Sequence, residues 1–353
     1  MRFAAVPRPP ESRIHAAAAA VLAAPFAAVL AGGALLAVLG HNPATVLQIF
    51  FWQPFTSLYG AVEVLNKTTT LALIAIGLSA GFRAGVWNIG AEGQFTVGAL
   101  SGGAVALALG GGDSALPLPL MLAAGIAGGV VWASIPALLR MRFHTNEILT
   151  SLMLVYVAQL LLAYCVHGPL KNPDGYGFPQ SRLFAENAVL PALLPDARLY
   201  ATAFLLPAAA VAAYLFFRRS YAGFQMRVVG LAPRAARFSG YSESRAVWIS
   251  FSAAGALAGL MGVCEVAGPI GQLTPSVSPG YGFTAIIVAF LGRLHPLGII
   301  PAATLLATAQ IGGENAQIAL GLPVSVSGVF QGLVLFCLLA AEFLVSYRIT
   351  VKK

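Results

Sequence analysis

Runs of apolar residues separated by short polar stretches fill almost the whole chain. Ten can be drawn, at roughly 16–39, 67–82, 86–109, 117–139, 147–166, 199–217, 246–268, 281–292, 296–312 and 324–346. A helix needs about 20 apolar residues to cross a bilayer, and most of these runs come close. The pattern predicts an all-α, polytopic membrane protein of about ten spans. Runs 67–82 and 281–292 are short for a full crossing. They read as broken or re-entrant helices, tolerable at membrane depth only where protein or a cavity covers the backbone.

One run carries unusual polar content. Residues 81–99, GFRAGVWNIGAEGQFTVGA, place Arg83, Asn88, Glu92 and Gln94 among glycines and apolar residues. A carboxylate at membrane depth costs at least about 2 kcal/mol and is normally turned toward a partner or a wet cavity. If the helix begins at Asn88, then Asn88, Glu92 and Phe95 share one face. The glycines would interrupt the helix and let neighbouring backbones approach. Broken polar segments of this kind line solute paths in transporters. The plainer alternative is a hydrogen bond that packs the bundle, for instance Glu92 pairing with Arg83. Asn146, Glu147, Glu265 and Phe283 complete the expected path, with Gln159, Gln310, Glu314, Asn315, Gln331 and Tyr281 as further polar or aromatic groups at depth.

Composition removes other classes. Hydrophobic residues make up 58% and charged residues 9% of 353, and mean hydropathy is +0.83, so no room remains for a separate soluble catalytic domain. The net charge of +8 is explained by topology and not by nucleic acid. With the N-terminus inside, sixteen of the twenty Lys and Arg residues fall on the inner side, and only Lys67, Lys171, Arg182 and Arg198 fall outside. Residues 1–15 and 347–353 are then cytoplasmic tails flanking a transmembrane domain of 16–346. The apolar core of 16–39 is longer than that of a cleavable signal, so an uncleaved anchor is expected. Loop 167–198 would be external, and loop 218–245 internal.

The internal loop holds six arginines against one carboxylate, Glu243. Pro233 suits the first turn of a short helix and Gly240 its stop. A solvated basic loop near lipid headgroups would carry the same charge. The proline start and glycine stop favour a docking helix for a cytoplasmic protein, through Pro233, Arg234, Ala235, Ala236, Arg237, Phe238 and Gly240.

Some chemistry is missing. None of the four lysines follows a glycine, so there is no GxxxxGK[ST] phosphate loop; HExxH is also absent. The five histidines are scattered, and Cys165, Cys264 and Cys337 have no ligand spacing. No catalytic residue, metal site or cofactor on this chain is expected.

The strings GFRAGVWNIGAEGQF, HTNEILTSLMLVYVA at 144–158, APRAARFSGYS at 232–242 and GYGFTAIIVAFLGRLHPLG at 280–298 resemble, in order, permease subunits of bacterial ABC importers. The nucleoside and simple-sugar branch is the most similar, a relative of the ribose and branched-chain amino acid permeases, and the likeness covers roughly 67–345. It implies a type II importer fold in the plasma membrane and a second permease, with a heterodimer expected. It also implies a partner ATPase that carries ATP and Mg, and a substrate-binding protein or lipoprotein outside. Segment 232–242 matches the family's coupling helix. Mostly uncharged polar groups beside aromatic rings suit a nucleoside, with a simple sugar as the alternative. An ion-coupled secondary transporter, using Glu92, Glu147, Glu265 or Glu314 as a relay, is a further alternative; an intramembrane enzyme or a scaffold fits less well.

Overall fold

The computed structural model describes residues 2–7, 26–27, 29–34, 37, 40–112, 114–175, 177–323 and 325–352. They form two compact units, one of residues 65–304 and one of residues 1–64 with 305–353. The helices are α1 (Pro43–Phe51), α2 (Leu58–Arg83), α3 (Ala91–Leu109), α4 (Pro117–Phe143), α5 (Glu147–His167), α6 (Leu205–Arg219), α7 (Tyr221–Leu231), α8 (Pro233–Phe238), α9 (Glu243–Glu265), α10 (Tyr281–Leu291), α11 (Pro296–Leu320) and α12 (Ser325–Ser346). Among the described residues, six helical stretches are long and apolar enough to cross a membrane by length and composition: 58–83, 117–143, 147–167, 201–219, 243–270 and 296–320. The expected first span, 16–39, falls largely outside the described residues.

One expected boundary moves for a clear reason. The run at 67–82 is the C-terminal part of α2, a helix of 26 residues, and not a short or broken one. Glu63, Asn66 and Lys67, at the edge of that run, hid its length. Thr69 Oγ1 donates to the Leu65 carbonyl at 2.9 Å, and Thr70 Oγ1 to the Asn66 carbonyl at 3.3 Å. These hydroxyls are satisfied by their own helix and can be buried in it. The run at 281–292, by contrast, is a short helix, α10.

The larger unit is built on α3, α4 and α9, whose glycines allow backbone-to-backbone packing. A Cβ on Gly98 would lie 2.3 Å from the Gly259 Cα, one on Gly129 2.1 Å from the Gly255 carbonyl oxygen, and one on Gly262 2.0 Å from the Phe95 carbonyl oxygen. In a lipid solvent no hydrophobic effect drives helices together, and such small-residue faces supply the close contact that does. Loop 167–198 folds back on the stretch after α9. The backbone N–H groups of Ser181, Phe184 and Leu190 donate to Leu273, Gly271 and Ala267 at 2.8–2.9 Å.

In the smaller unit, Val46 and Phe50 of α1 pack with Ala316 and Leu322. The two termini pair as an antiparallel ribbon, Arg2–Pro7 (β1) with Tyr347–Lys352 (β4), where plain tails were expected. A second small ribbon joins Ala192–Leu194 (β2) to Leu199–Tyr200 (β3).

Candidate functional site

The polar segment 81–99 is a break between two helices. Helix α2 ends at Arg83 and α3 begins at Ala91. Gly85 takes a φ of +72° to turn the chain. Asn88 therefore does not share a helical face with Glu92 and Phe95, contrary to the sequence expectation. Instead its Oδ1 accepts the Gly90 N–H at 2.9 Å, and its amide exchanges two 3.2 Å hydrogen bonds with the Gln94 amide. Both side chains are buried, and each satisfies the other. They close the turn that starts α3.

Glu92, also buried, reaches out of its own helix. Its Oε2 accepts the Gly282 N–H at 2.7 Å, and it interacts with the Ser278 hydroxyl and the Gly280 N–H. These groups form the N-terminus of α10, where unpaired backbone N–H groups and the helix dipole favour an anion. The backbones must be close for this to work: a Cβ on Gly282 would lie 2.2 Å from the Glu92 nitrogen. Beside it, Phe95 meets Tyr281 edge-on with centroids 5.7 Å apart, and the Tyr281 hydroxyl donates to Glu265 Oε1 at 3.4 Å. Glu92, Phe95 and Glu265 thus meet at one end of α10, while Phe283 on α10 stays 38% exposed.

The other end of α10 is held by the same segment. Arg83 donates from Nε at 3.0 Å and Nη2 at 2.7 Å to the Leu294 carbonyl, and its guanidinium lies over the Phe217 ring, 4.3 Å from the centroid. Arg83 does not pair with Glu92. The carboxylate takes the N-terminal end of α10 and the guanidinium the turn beyond its C-terminal end. Each sits where the helix dipole favours its sign.

Glu92 also lines a cavity of about 350 Å³ with Thr96, Gln159, Ser276 and Ser278, and among the described lining residues it alone is ionisable. Thr96, Ser276 and Ser278 were not singled out from sequence. The TPSVSPG turn before α10 held the signal, since hydroxyl residues ahead of a helix start also serve as caps.

Asn146 and Glu147 lie elsewhere. Asn146 caps α5 through the Ile148 and Leu149 N–H groups. Glu147 Oε1 sits 2.5 Å from Arg140, which also reaches Glu243 at 3.3 Å, and Glu243 meets Arg237 at 2.7 Å. These residues line a second cavity of about 440 Å³, distinct from the one at Glu92. They join the expected coupling residues instead of the expected path. Helix α8 has Pro233 at its start, and Gly240 follows it with a φ of +76°. Phe238 is 95% exposed, whereas Ala236 is buried in the chain's own core. Ala236 therefore supports α8 from beneath and is not available to a partner. Arg234, Ala235 and Arg237 are exposed.

A glycine-faced helical bundle with several stretches long and apolar enough to cross a bilayer has the build of a multi-pass membrane protein. The chain belongs to the family described as branched-chain amino acid transport system / permease component, whose model matches residues 60–339. It is 37% identical over 334 residues to a glucose ABC transporter permease protein of Haloferax volcanii, covering 92% of this chain and 87% of that one. It is 29% identical over 307 residues to a guanosine ABC transporter permease protein of Bacillus subtilis, covering 86% and 88%. A nucleoside ABC transporter permease protein of Lactococcus lactis is 28% identical over 324 residues, covering 90% and 88%. The chain is an ABC transporter permease.

Proposed function

We propose that this permease forms the translocation path of an ATP-driven importer for a neutral, hydroxylated solute, a nucleoside or a simple sugar. The observation that carries this reading is the lining of the Glu92 cavity, which offers hydroxyl and amide groups and a single carboxylate already engaged by backbone at α10. An amino-acid zwitterion would call for free groups of both signs, whereas sugar hydroxyls need neutral donors and acceptors. The named substrates of the relatives, glucose, guanosine and nucleosides, agree with this chemistry.

ATP and Mg would bind a partner ATPase, docked on α8 through Phe238 with Arg234 and Arg237 at the rim. A second permease would complete the pore. A glucose permease and a second protein named as a putative glucose permease in H. volcanii, and two guanosine permeases of B. subtilis, resemble this chain, which supports a pair of unlike permeases. A binding protein or lipoprotein would deliver solute outside. By the bias of basic residues, both termini and α8 face the cytoplasm and loop 167–198 faces out.

Uptake of labelled guanosine, glucose and leucine by cells with and without the gene tests the reading. Loss of guanosine or glucose uptake with leucine uptake intact is expected. Loss of leucine uptake alone would overturn it.

A further inference from the structure

A third cavity, of about 240 Å³, lies where α2 and α6 end and α11 begins, and it is lined by Arg83, Tyr214, Phe217, Arg218, Arg227 and His295. Among the described residues that line it, four carry basic side chains and none a carboxylate. Elsewhere, Arg140 and Arg237 each pair with Glu243.

The lining orders the cations without neutralising them. Arg83 is fixed by the Leu294 carbonyl and the Phe217 ring. Arg218 lies over the Tyr214 ring, 5.5 Å from its centroid, and its Nη1 donates to the Tyr214 hydroxyl. Tyr214 in turn meets His295 edge-on at 6.0 Å. Guanidinium groups held on aromatic faces keep free N–H donors in a fixed fork, the geometry that suits phosphate oxygens. His295 Nδ1 accepts the Leu297 N–H at 3.3 Å, which leaves Nε2 to carry the proton of the neutral ring as a further donor. Partial burial, then the Arg83 and Arg218 charges, hold His295 below its ordinary pKa. Positive potential is therefore concentrated here, with no counter-charge among the described lining residues.

We propose that this cavity binds a phosphate group, supplied either by an anionic phospholipid headgroup or by free phosphate. Three apolar helices end at the cavity, the level at which headgroup phosphates lie in a bilayer. The occupant would join Arg218 and Arg227, around the α6–α7 corner, to Arg83, which holds the end of α10. It would thus brace the short helix capped by Glu92.

The test compares the native permease with Arg218→Gln/Arg227→Gln, both exposed at the rim, and with Arg227→Gln alone should the double variant misfold. A charge-matched control, Arg142→Gln/Arg245→Gln, removes two exposed arginines outside the cavity. In phosphatidylcholine nanodiscs doped with phosphatidylglycerol, native mass spectrometry reads retained lipid. In pure phosphatidylcholine discs, calorimetry reads inorganic phosphate. Loss of two charge-assisted contacts predicts at least about tenfold weaker binding in the rim variant and near-native binding in the control. Loss in the phosphatidylglycerol arm identifies a lipid headgroup, and loss in the phosphate arm a free anion. Equal binding of both anions by native and rim variant, or equal loss in the control, would overturn the proposal.

Discussion

The carboxylate of Glu92 on α3 accepts a 2.7 Å hydrogen bond from the backbone N–H of Gly282, the second residue of α10. This one contact makes a buried acid the cap of a short helix on another part of the chain. Glu92→Ala leaves that donor buried and unpaired, at a cost of about 1–3 kcal/mol. Glu92→Gln keeps an acceptor and removes the charge. Both variants are expected to insert, with uptake lowered in Glu92→Gln and lower still in Glu92→Ala. Native uptake rates in both, measured with the partner subunits, would show that the cap is dispensable.

Gly282→Ala attacks the same contact from the other side. Its new Cβ would lie 2.2 Å from the Glu92 nitrogen and 2.6 Å from its Cα, so the two backbones must separate. Overpacking of this kind costs about 1–3 kcal/mol and sometimes more. Thermal unfolding of the purified chain is expected to fall clearly for Gly282→Ala. It should not fall for Gly328→Ala, where a Cβ in a helix meets nothing within 4 Å.

Helix α8 and its ion pairs give the coupling prediction. Phe238 is 95% exposed, so Phe238→Ala should leave folding intact and weaken docking of the ATPase by about 2–4 kcal/mol as the loss of an aromatic anchor. Co-purification reads this directly, and undiminished co-purification would remove Phe238 from the interface.

Arg140 holds Glu147 and Glu243 at once, and is itself largely shielded from solvent. Arg140→Gln should cost about 1–3 kcal/mol of stability and leave the ATPase bound, with its hydrolysis no longer stimulated by solute. Normal stimulation would place coupling on another loop.

Much of this was legible in the sequence, and the failures have causes. The bounds of α10 and the proline-to-glycine limits of α8 could be read because caps and breakers are local chemistry. The length of α2 could not, because Glu63, Asn66 and Lys67 look like a polar boundary, and only the fold shows the Asn66 amide donating to the distant Arg198 carbonyl. Asn88 was misplaced because a glycine-rich string does not say where its helix begins. Glu147 was expected beside Glu92 because both are acids in apolar surroundings. Only the fold reveals that its charge is met by Arg140, on the preceding helix. Ala236 illustrates the same limit: six residues of helix do not announce which face is inward.

The most direct test of the account is transport by the permease pair and its ATPase in proteoliposomes supplied with binding protein and labelled solute. The account predicts uptake of a nucleoside or sugar that requires hydrolysable ATP on the ATPase side and persists when ion gradients are collapsed. Uptake driven by an imposed ion gradient in the absence of ATP would contradict it.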